Sequence, residues 1–388
     1  MKKILSILAI IALIGIALVG CSQEGSTEKE DPSAKSSTPL KDEGPLTINQ
    51  DIPGDQEILS KGPNGETAEP ALNLELTEEE IAKIKEGNYK AAIVMHYAGN
   101  DWATAQIDGL KAAFERMGIE VVAITDAQFK PEKQLSDIET VLAKDPDIIV
   151  GIPVDAVSSA SAFKKAADAG VKVVFMDNVP NNLEAGKDYV SVVSADNYGN
   201  GIAAADIMAE QLGGKGKIGV IYHDADFFVT AQRVEAFEKT ITEKYPDIEI
   251  VARGGIADES DGDKVASGML TTNPDLDGMF VVWDVPAEGA LAAVRTAGKE
   301  DLVVTTIDLG ANVALNIAQG GNIKGLGAQL PYDQGVAEAI LAGYGLLGKE
   351  APAYVAVPSL KVTQENILEA WKLVYSKEAP AEIQNAVK

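Results

Sequence analysis

The sequence predicts an α/β protein made of two Rossmann-like, doubly wound parallel-sheet lobes, and three observations lead there. From residue 91 onward, short apolar runs alternate with longer segments of helical periodicity, the pattern of buried parallel strands joined by crossover helices. About ten such units are present, more than one ordinary sheet holds. The two halves also echo each other. Ala92-Ile93-Val94-Met95-His96 in the first matches Gly219-Val220-Ile221-Tyr222-His223 in the second, and aromatic residues follow each (Trp102; Phe227 and Phe228).

Taken in order, the chain opens with Lys2-Lys3, then an almost wholly apolar run over residues 4–19 that ends Leu18-Val19-Gly20-Cys21. A positive start and an apolar stretch at the short end for a spanning helix predict a secretory signal over residues 1–20. Leu-x-small-Cys resembles the bacterial lipobox. That resemblance implies a lipidated Cys21 as the first mature residue; as the only cysteine, it has no partner for an internal disulfide. The alternative is an uncleaved membrane anchor. Either way the rest of the chain is expected on the extracellular or periplasmic face of the cell membrane.

Residues 22–71 are dominated by Ser, Glu, Lys, Gly and Pro, so a flexible tether is expected from Cys21 through residue 71. Residues 72–88 form a lead-in, where Thr77-Glu78-Glu79-Glu80 predicts a capping box opening a helix over 78–85. The first lobe then carries expected strands at 91–95, 120–124, 148–151 and 171–176, with helices at 104–117, 131–144 and 156–169. The second series has strands at 217–222, 248–252, 278–282, 302–306 and 323–327. Its helices are expected at 198–212, 229–244, 261–272, 286–297, 312–318 and 332–347.

A net charge of -26 excludes a nucleic-acid backbone as partner and argues against a polybasic membrane contact. It fits a self-repelling, monomeric surface protein. Arginine occurs only at 116, 233, 253 and 295.

In doubly wound sheets, ligands sit beyond the carboxyl ends of the strands. Those ends carry His96, Asn100 and Trp102; Asp155; Asp177 and Asn178; His223, Asp226, Phe227, Phe228 and Arg233; Trp283 and Asp284; Asp308; and Gln329. Flat aromatic faces cover the C–H faces of a sugar ring, while carboxylates, amides and guanidinium bond neighbouring hydroxyls, often in pairs. Trp102 and Trp283 are read as ligand platforms and Trp371 as packing. Asp155 and Asp284 are assigned to helix capping. Asp177 and Asp308 do not directly open helices and are assigned to ligand. His96 and His223 admit a core reading or a metal reading with Asp224 or Asp226, but their separation lacks short metal-ligand spacing, and neither metal nor cofactor is expected. The acidic run 258–263 is a solvated helix start rather than a calcium loop.

No G-x-S-x-G, H-E-x-x-H or G-x-x-x-x-G-K-S/T motif is present, and no G-x-G-x-x-G follows a strand. Gly213-Gly214-Lys215-Gly216 follows a helix and precedes a strand, the wrong order for cradling phosphate.

Ile152-Pro153-Val154-Asp155, Val174-Phe175-Met176-Asp177, Ala195-Asp196-Asn197-Tyr198-Gly199, Thr306-Ile307-Asp308 and Ala328-Gln329-Leu330-Pro331-Tyr332-Asp333-Gln334-Gly335 together resemble the type I periplasmic solute-binding proteins of the ribose/monosaccharide group. The likeness spans about residues 89–375. It implies two lobes that close on one sugar, joined by three hinge crossings near 195/196, 329/330 and 357–361. Lobe 1 would be 89–195 plus 330–360, and lobe 2 would be 196–329 plus 361–388. The family's ligand residues fall on Asn100, Trp102, Asp177, Arg233, Asp308 and Gln329. His96, Ile152, Asn178 and Trp283 depart from the ribose proteins, which have a small polar residue, asparagine, arginine and asparagine there. The expected ligand set is His96, Asn100, Trp102, Asp177, Asn178, His223, Phe228, Arg233, Trp283, Asp308 and Gln329.

The resemblance implies a non-enzymatic receptor that delivers a monosaccharide or small polyol to an ABC permease. Alternatives are a receptor feeding a sensor kinase or chemoreceptor, and a surface hydrolase using His96 or His223 with a carboxylate. A transcriptional regulator shares the two-lobe core but would lack the signal segment and carry a basic helix-turn-helix.

Overall fold

A computed structural model describes residues 40–54 and 57–387; the signal segment and Cys21 lie outside the described residues. In chain order the elements are β1 (Glu69–Pro70), α1 (Glu78–Lys85), β2 (Lys90–Met95), α2 (Asp101–Arg116), β3 (Glu120–Asp126), α3 (Pro131–Leu142), β4 (Ile148–Gly151), α4 (Ala160–Asp168), β5 (Lys172–Met176), β6 (Ser191–Ala195) and α5 (Asn197–Leu212). They continue with β7 (Gly216–His223), α6 (Phe228–Lys244), β8 (Ile248–Ile256), α7 (Gly262–Thr272), β9 (Gly278–Val281), α8 (Asp284–Thr296), β10 (Val303–Ile307), α9 (Ala311–Ala318), β11 (Ile323–Ala328) and α10 (Pro331–Leu347). The chain finishes with β12 (Tyr354–Val357), β13 (Leu360–Thr363), α11 (Ile367–Tyr375) and α12 (Ala381–Ala386).

These strands form two sheets. The first has seven strands in the order β1-β12-β6-β5-β4-β2-β3, and the second six, in the order β13-β11-β10-β9-β7-β8. Every neighbouring pair is parallel except β11 with β13. The inner strands β4, β5 and β9 are buried along almost their whole length, which is why they read as unbroken apolar runs. The chain passes between sheets three times: from β6 into α5, from β11 into α10, and directly from β12 to β13.

Helix α10 is buried from Pro331 to Tyr344 and packs on α2 and the first sheet. Two glycines make that approach close. A Cβ on Gly109 would lie 2.0 Å from the Tyr332 carbonyl oxygen, and one on Gly335 2.2 Å from that of Gln106. Any side chain there would separate the helices.

The capping box of α1 forms: Thr77 Oγ1 accepts from Glu80 N, and the Glu80 carboxylate accepts from Thr77 N. The expectation of an unstructured tether through residue 71 fails from residue 40 onward. Leu46, Ile48 and Ile52 are at most 4% exposed, and β1 extends the first sheet by pairing with β12. The leader also touches two of the crossings and the neighbouring helix α6. Asp333, at the start of α10, accepts from Asn49 N. Asp196, the residue leaving β6, accepts from Leu59 N and Ser60 N. Lys61 N donates to Gln232 of α6. Composition misleads here because a few well-spaced apolar residues and backbone N–H groups suffice to dock an extended strand on a preformed surface. Among the described residues, no helix is long and apolar enough to cross a membrane.

Candidate functional site

Two aspartates organise the site, one on each sheet, and both occupy the left-handed region: Asp177 (φ 55) after β5 and Asp308 (φ 71) after β10. That conformation is disfavoured for most residues but least so for Asn, Asp and Gly. It follows from the main chain, which stays in the sheet one bond longer: Asp177 N donates to Val193 O of β6, and Asp308 N to Gly327 O of β11. Each carboxylate is thereby turned away from its own strand toward the next strand in the sheet.

On the first sheet, Ser194 Oγ donates to Asp177 Oδ1 at 2.7 Å. Burial pushes the Asp177 acid up to about 6, against the opposing pull of Ser194 and Arg233, with Asp308 adding to the rise. Asn178 follows, 7% exposed. His96 leaves β2 and meets Trp102 edge-on at 6.3 Å. Burial, reinforced by His223, drives its imidazole down to about 3, so the ring is neutral. Asn100 has a structural engagement: it is the N-cap of α2, its Oδ1 accepting from Ala103 N at 2.9 Å.

On the second sheet the polar groups are tied to one another. Arg233 Nη1 donates to Asp308 Oδ2 at 3.1 Å, Arg233 Nε to Asn197 Oδ1 at 2.8 Å, and Gln329 Nε2 to Asp308 Oδ1 at 2.7 Å. His223 Nδ1 sits 3.1 Å from Thr230 Oγ1, and its ring meets Trp283 edge-on at 5.2 Å. Trp283 is half-buried. Phe228 is the half-buried first residue of α6. The ring that reaches the other lobe belongs to Phe227, which stacks on His96 at 6.0 Å with the planes 8° apart.

Further contacts span the cleft. Ala311 N donates to Asp101 Oδ2 at 2.8 Å, and the Glu259 carboxylate lies near enough to Tyr97 to help raise its phenol, after burial. The two polar clusters face each other in a closed arrangement. Within it, four polar atoms are buried with no hydrogen-bond partner: His96 Nδ1, Trp102 Nε1, Asn178 Nδ2 and Gln329 Oε1. Buried polar atoms in proteins are rarely left this way.

Sequence reasoning missed several members. Asp101 and Asn197 carried no motif of their own beyond the quoted Ala195-Asp196-Asn197 run. Asp284 was assigned to capping, but the N-cap of α8 is Trp283. Asp284 is 3% exposed, and burial, then Asp308, holds its acid well above the usual carboxylate range. Asp155 does not cap α4, whose N-cap is Ser159; it braces the preceding turn, accepting from Val157 N and Ser158 N. Trp371 packs against Tyr375 with centroids 4.3 Å apart. Among the described residues, no group of three or more His, Cys, Asp or Glu is placed to hold a metal ion.

Residues 91–350 match the periplasmic binding protein domain family. Among curated proteins, the chain is 27% identical over 263 residues to the ribose import binding protein RbsB of Salmonella typhimurium, covering 68% of this chain and 86% of that one. It is 28% identical over 246 residues to the D-apiose import binding protein of Actinobacillus succinogenes, covering 63% and 77%. Among solved structures, an ABC transporter solute-binding protein from Agrobacterium vitis bound to α-D-tagatopyranose superposes with a TM-score of 0.68 at 24% identity, covering 74% of this chain and 100% of that one. One from Actinobacillus succinogenes with bound D-allose gives 0.65 at 25% identity, covering 72% and 99%.

Proposed function

The chain belongs to the periplasmic binding protein domain family, a family of binding proteins rather than enzymes, and on that premise we propose that it captures a monosaccharide or small polyol between its two lobes for an ABC permease. The observation that carries this reading is the set of four unpartnered buried atoms, His96 Nδ1, Trp102 Nε1, Asn178 Nδ2 and Gln329 Oε1. They come from both lobes and mix donors with an acceptor, which a polyhydroxylated ligand satisfies, since each hydroxyl both donates and accepts. Asp177 and Asp308 supply strong acceptors for paired hydroxyls. Trp102 and Trp283 supply apolar surface for the ring. His96, Asn178, His223, Arg233 and Gln329 complete the set, with Phe227 in place of Phe228. Asn100 acts through the α2 cap.

Ligand that touches both lobes only when they are together shifts an open–closed equilibrium toward closure. The lobes would turn about the three crossings, with β1–β6 and β12 moving as one body and β7–β11 with β13 as the other. Lipidation at Cys21 would hold the receptor at the membrane face where the permease lies. Mass spectrometry of the chain expressed in bacteria should find the acylated cysteine at the mature N-terminus; an unmodified, uncleaved Met1 start would remove the anchor from the reading.

The test of the central claim is calorimetric titration with pentoses, hexoses and their polyols. One ligand should saturate the protein, and Asp308→Ala should weaken it by about 1–3 kcal/mol, as for lost hydrogen bonds to a charged group. No binding across the panel, or an unchanged affinity in Asp308→Ala, overturns the assignment.

A further inference from the structure

A second cavity, of about 280 Å³, lies where the leader crosses the start of α10 and the end of α2, and it shares no residue with the cleft. Its wall combines Ile48 and Asn49 of the leader, Arg116 of α2, Tyr332 and Asp333 of α10, and Lys372 of α11. Three of those side chains carry a buried polar atom with no partner: Tyr332 Oη, Asp333 Oδ2 and Arg116 Nε. Tyr332 and Asp333 are 3% and 2% exposed.

The partners that do exist define what is lacking. Asp333 Oδ1 accepts from Asn49 N at 2.7 Å, and no described cation lies within ion-pair distance of its carboxylate. Burial accordingly lifts its acid to about 7, with only the Asn49 N–H opposing the rise. Arg116, half-buried, spends its terminal nitrogens on the carbonyl oxygens of Pro45 and Gly44, with the Glu78 and Asp42 carboxylates near enough to favour its charge. Asp333 and Arg116 are thus not paired with each other, and they share the wall with a phenol and with Lys41, Asp51 and Lys372, the last of which pairs with Glu378. A buried charge left unpaired is costly. A ligand bearing both opposite charges would pair both at once.

We propose that this cavity binds a small zwitterion with one ammonium and one carboxylate group, of which an α-amino acid is the simplest. The ammonium bonds Asp333 and Tyr332, and the carboxylate accepts from Arg116. Its volume suits a ligand smaller than the usual drug-sized occupant. The family match begins at residue 91, so the leader that closes the cavity lies outside the matched domain.

The test is calorimetric titration of the full chain with glycine, L-alanine and L-serine, using methylamine and acetate as half-ligands. At least one amino acid should bind, with each half-ligand weaker by about tenfold or more, the loss expected when one charged hydrogen bond is missing. Asp333→Asn and Arg116→Gln should each weaken the amino acid by a similar factor, whereas Asp177→Asn in the cleft should not. If Asp333→Asn fails to fold, Tyr332→Phe, which removes only a hydroxyl, gives the same reading with a smaller loss. Absence of binding by all three amino acids overturns the proposal. So does equal binding by a half-ligand, or loss of binding in Asp177→Asn with retention in Asp333→Asn.

Discussion

Asp177 and Asp308 are the same device installed twice, yet the two lobes load it differently. Both follow a buried parallel strand, both sit in the left-handed region, and both donate their N–H to the next strand. In the second lobe each carboxylate oxygen has a side-chain partner, Arg233 on one and Gln329 on the other. In the first lobe, Ser194 alone is bonded to Asp177 Oδ1. Asp308 is thus held on both oxygens, whereas Asp177 sits as a buried acid raised to about 6. On the proposed reading, one half of the cleft is preorganised and the other half is completed by its ligand.

The sharpest way to break the contrast is Arg233→Met. It leaves Asp308 buried without its charge partner and Asn197 without its donor, so stability should fall by about 3–5 kcal/mol, read from urea melts. A loss below about 1 kcal/mol would mean that the second lobe is not organised by this pair.

Asp177→Asn should go the other way. Asparagine tolerates the same backbone, so the substitution removes mainly the charge. An acid raised from 3.8 to about 6 is a cost fully present above pH 6 and absent below the unfolded value. The ligand-free variant should therefore be the more stable protein at pH 7, by at most about 3 kcal/mol, with the advantage disappearing as pH falls to about 4. His96 has the opposite slope. Its imidazole is lowered from 6.5 to about 3, so the closed form excludes a proton that the unfolded chain takes up. Its contribution is intact above pH 6.5 and is lost progressively below it. Acid melts of His96→Phe should lack that limb; an unchanged profile would show that His96 is not the group responsible.

The smallest effect separates capping from binding. Asn100→Ala should cost about 1 kcal/mol of stability through the α2 N-cap, while Asn100→Ser, which can still cap, should restore stability. Affinity that falls in both variants alike would return Asn100 to direct ligand contact.

The same contrast marks what the sequence disclosed. Continuous apolar runs such as Ile148–Gly151 and the paired strand-end histidines carry their placement on their face, because burial on both sides of a sheet leaves no polar position. The residues that escaped are those whose role depends on depth or on the turn of a helix. Asp284 reads as a cap at its position along the chain, but its burial makes it an acid among acids. Phe227 and Phe228 are adjacent, and the direction in which α6 begins determines that Phe227 faces His96. The strands β6, β12 and β13 are short and lie at crossings, where local pattern says little about which sheet receives them. The leader escaped because docking depended on sparse contacts rather than on composition.

That leader has a mechanical consequence. Its attachments run in sequence along the joint between the two bodies: Asn49 on Asp333, Leu59 and Ser60 on Asp196, Lys61 on Gln232, then Glu69–Pro70 along β12. Tension applied from the N-terminal side would enter the molecule at these attachments. An N-terminal anchor of the kind proposed would therefore pull first on the joint between the two lobes.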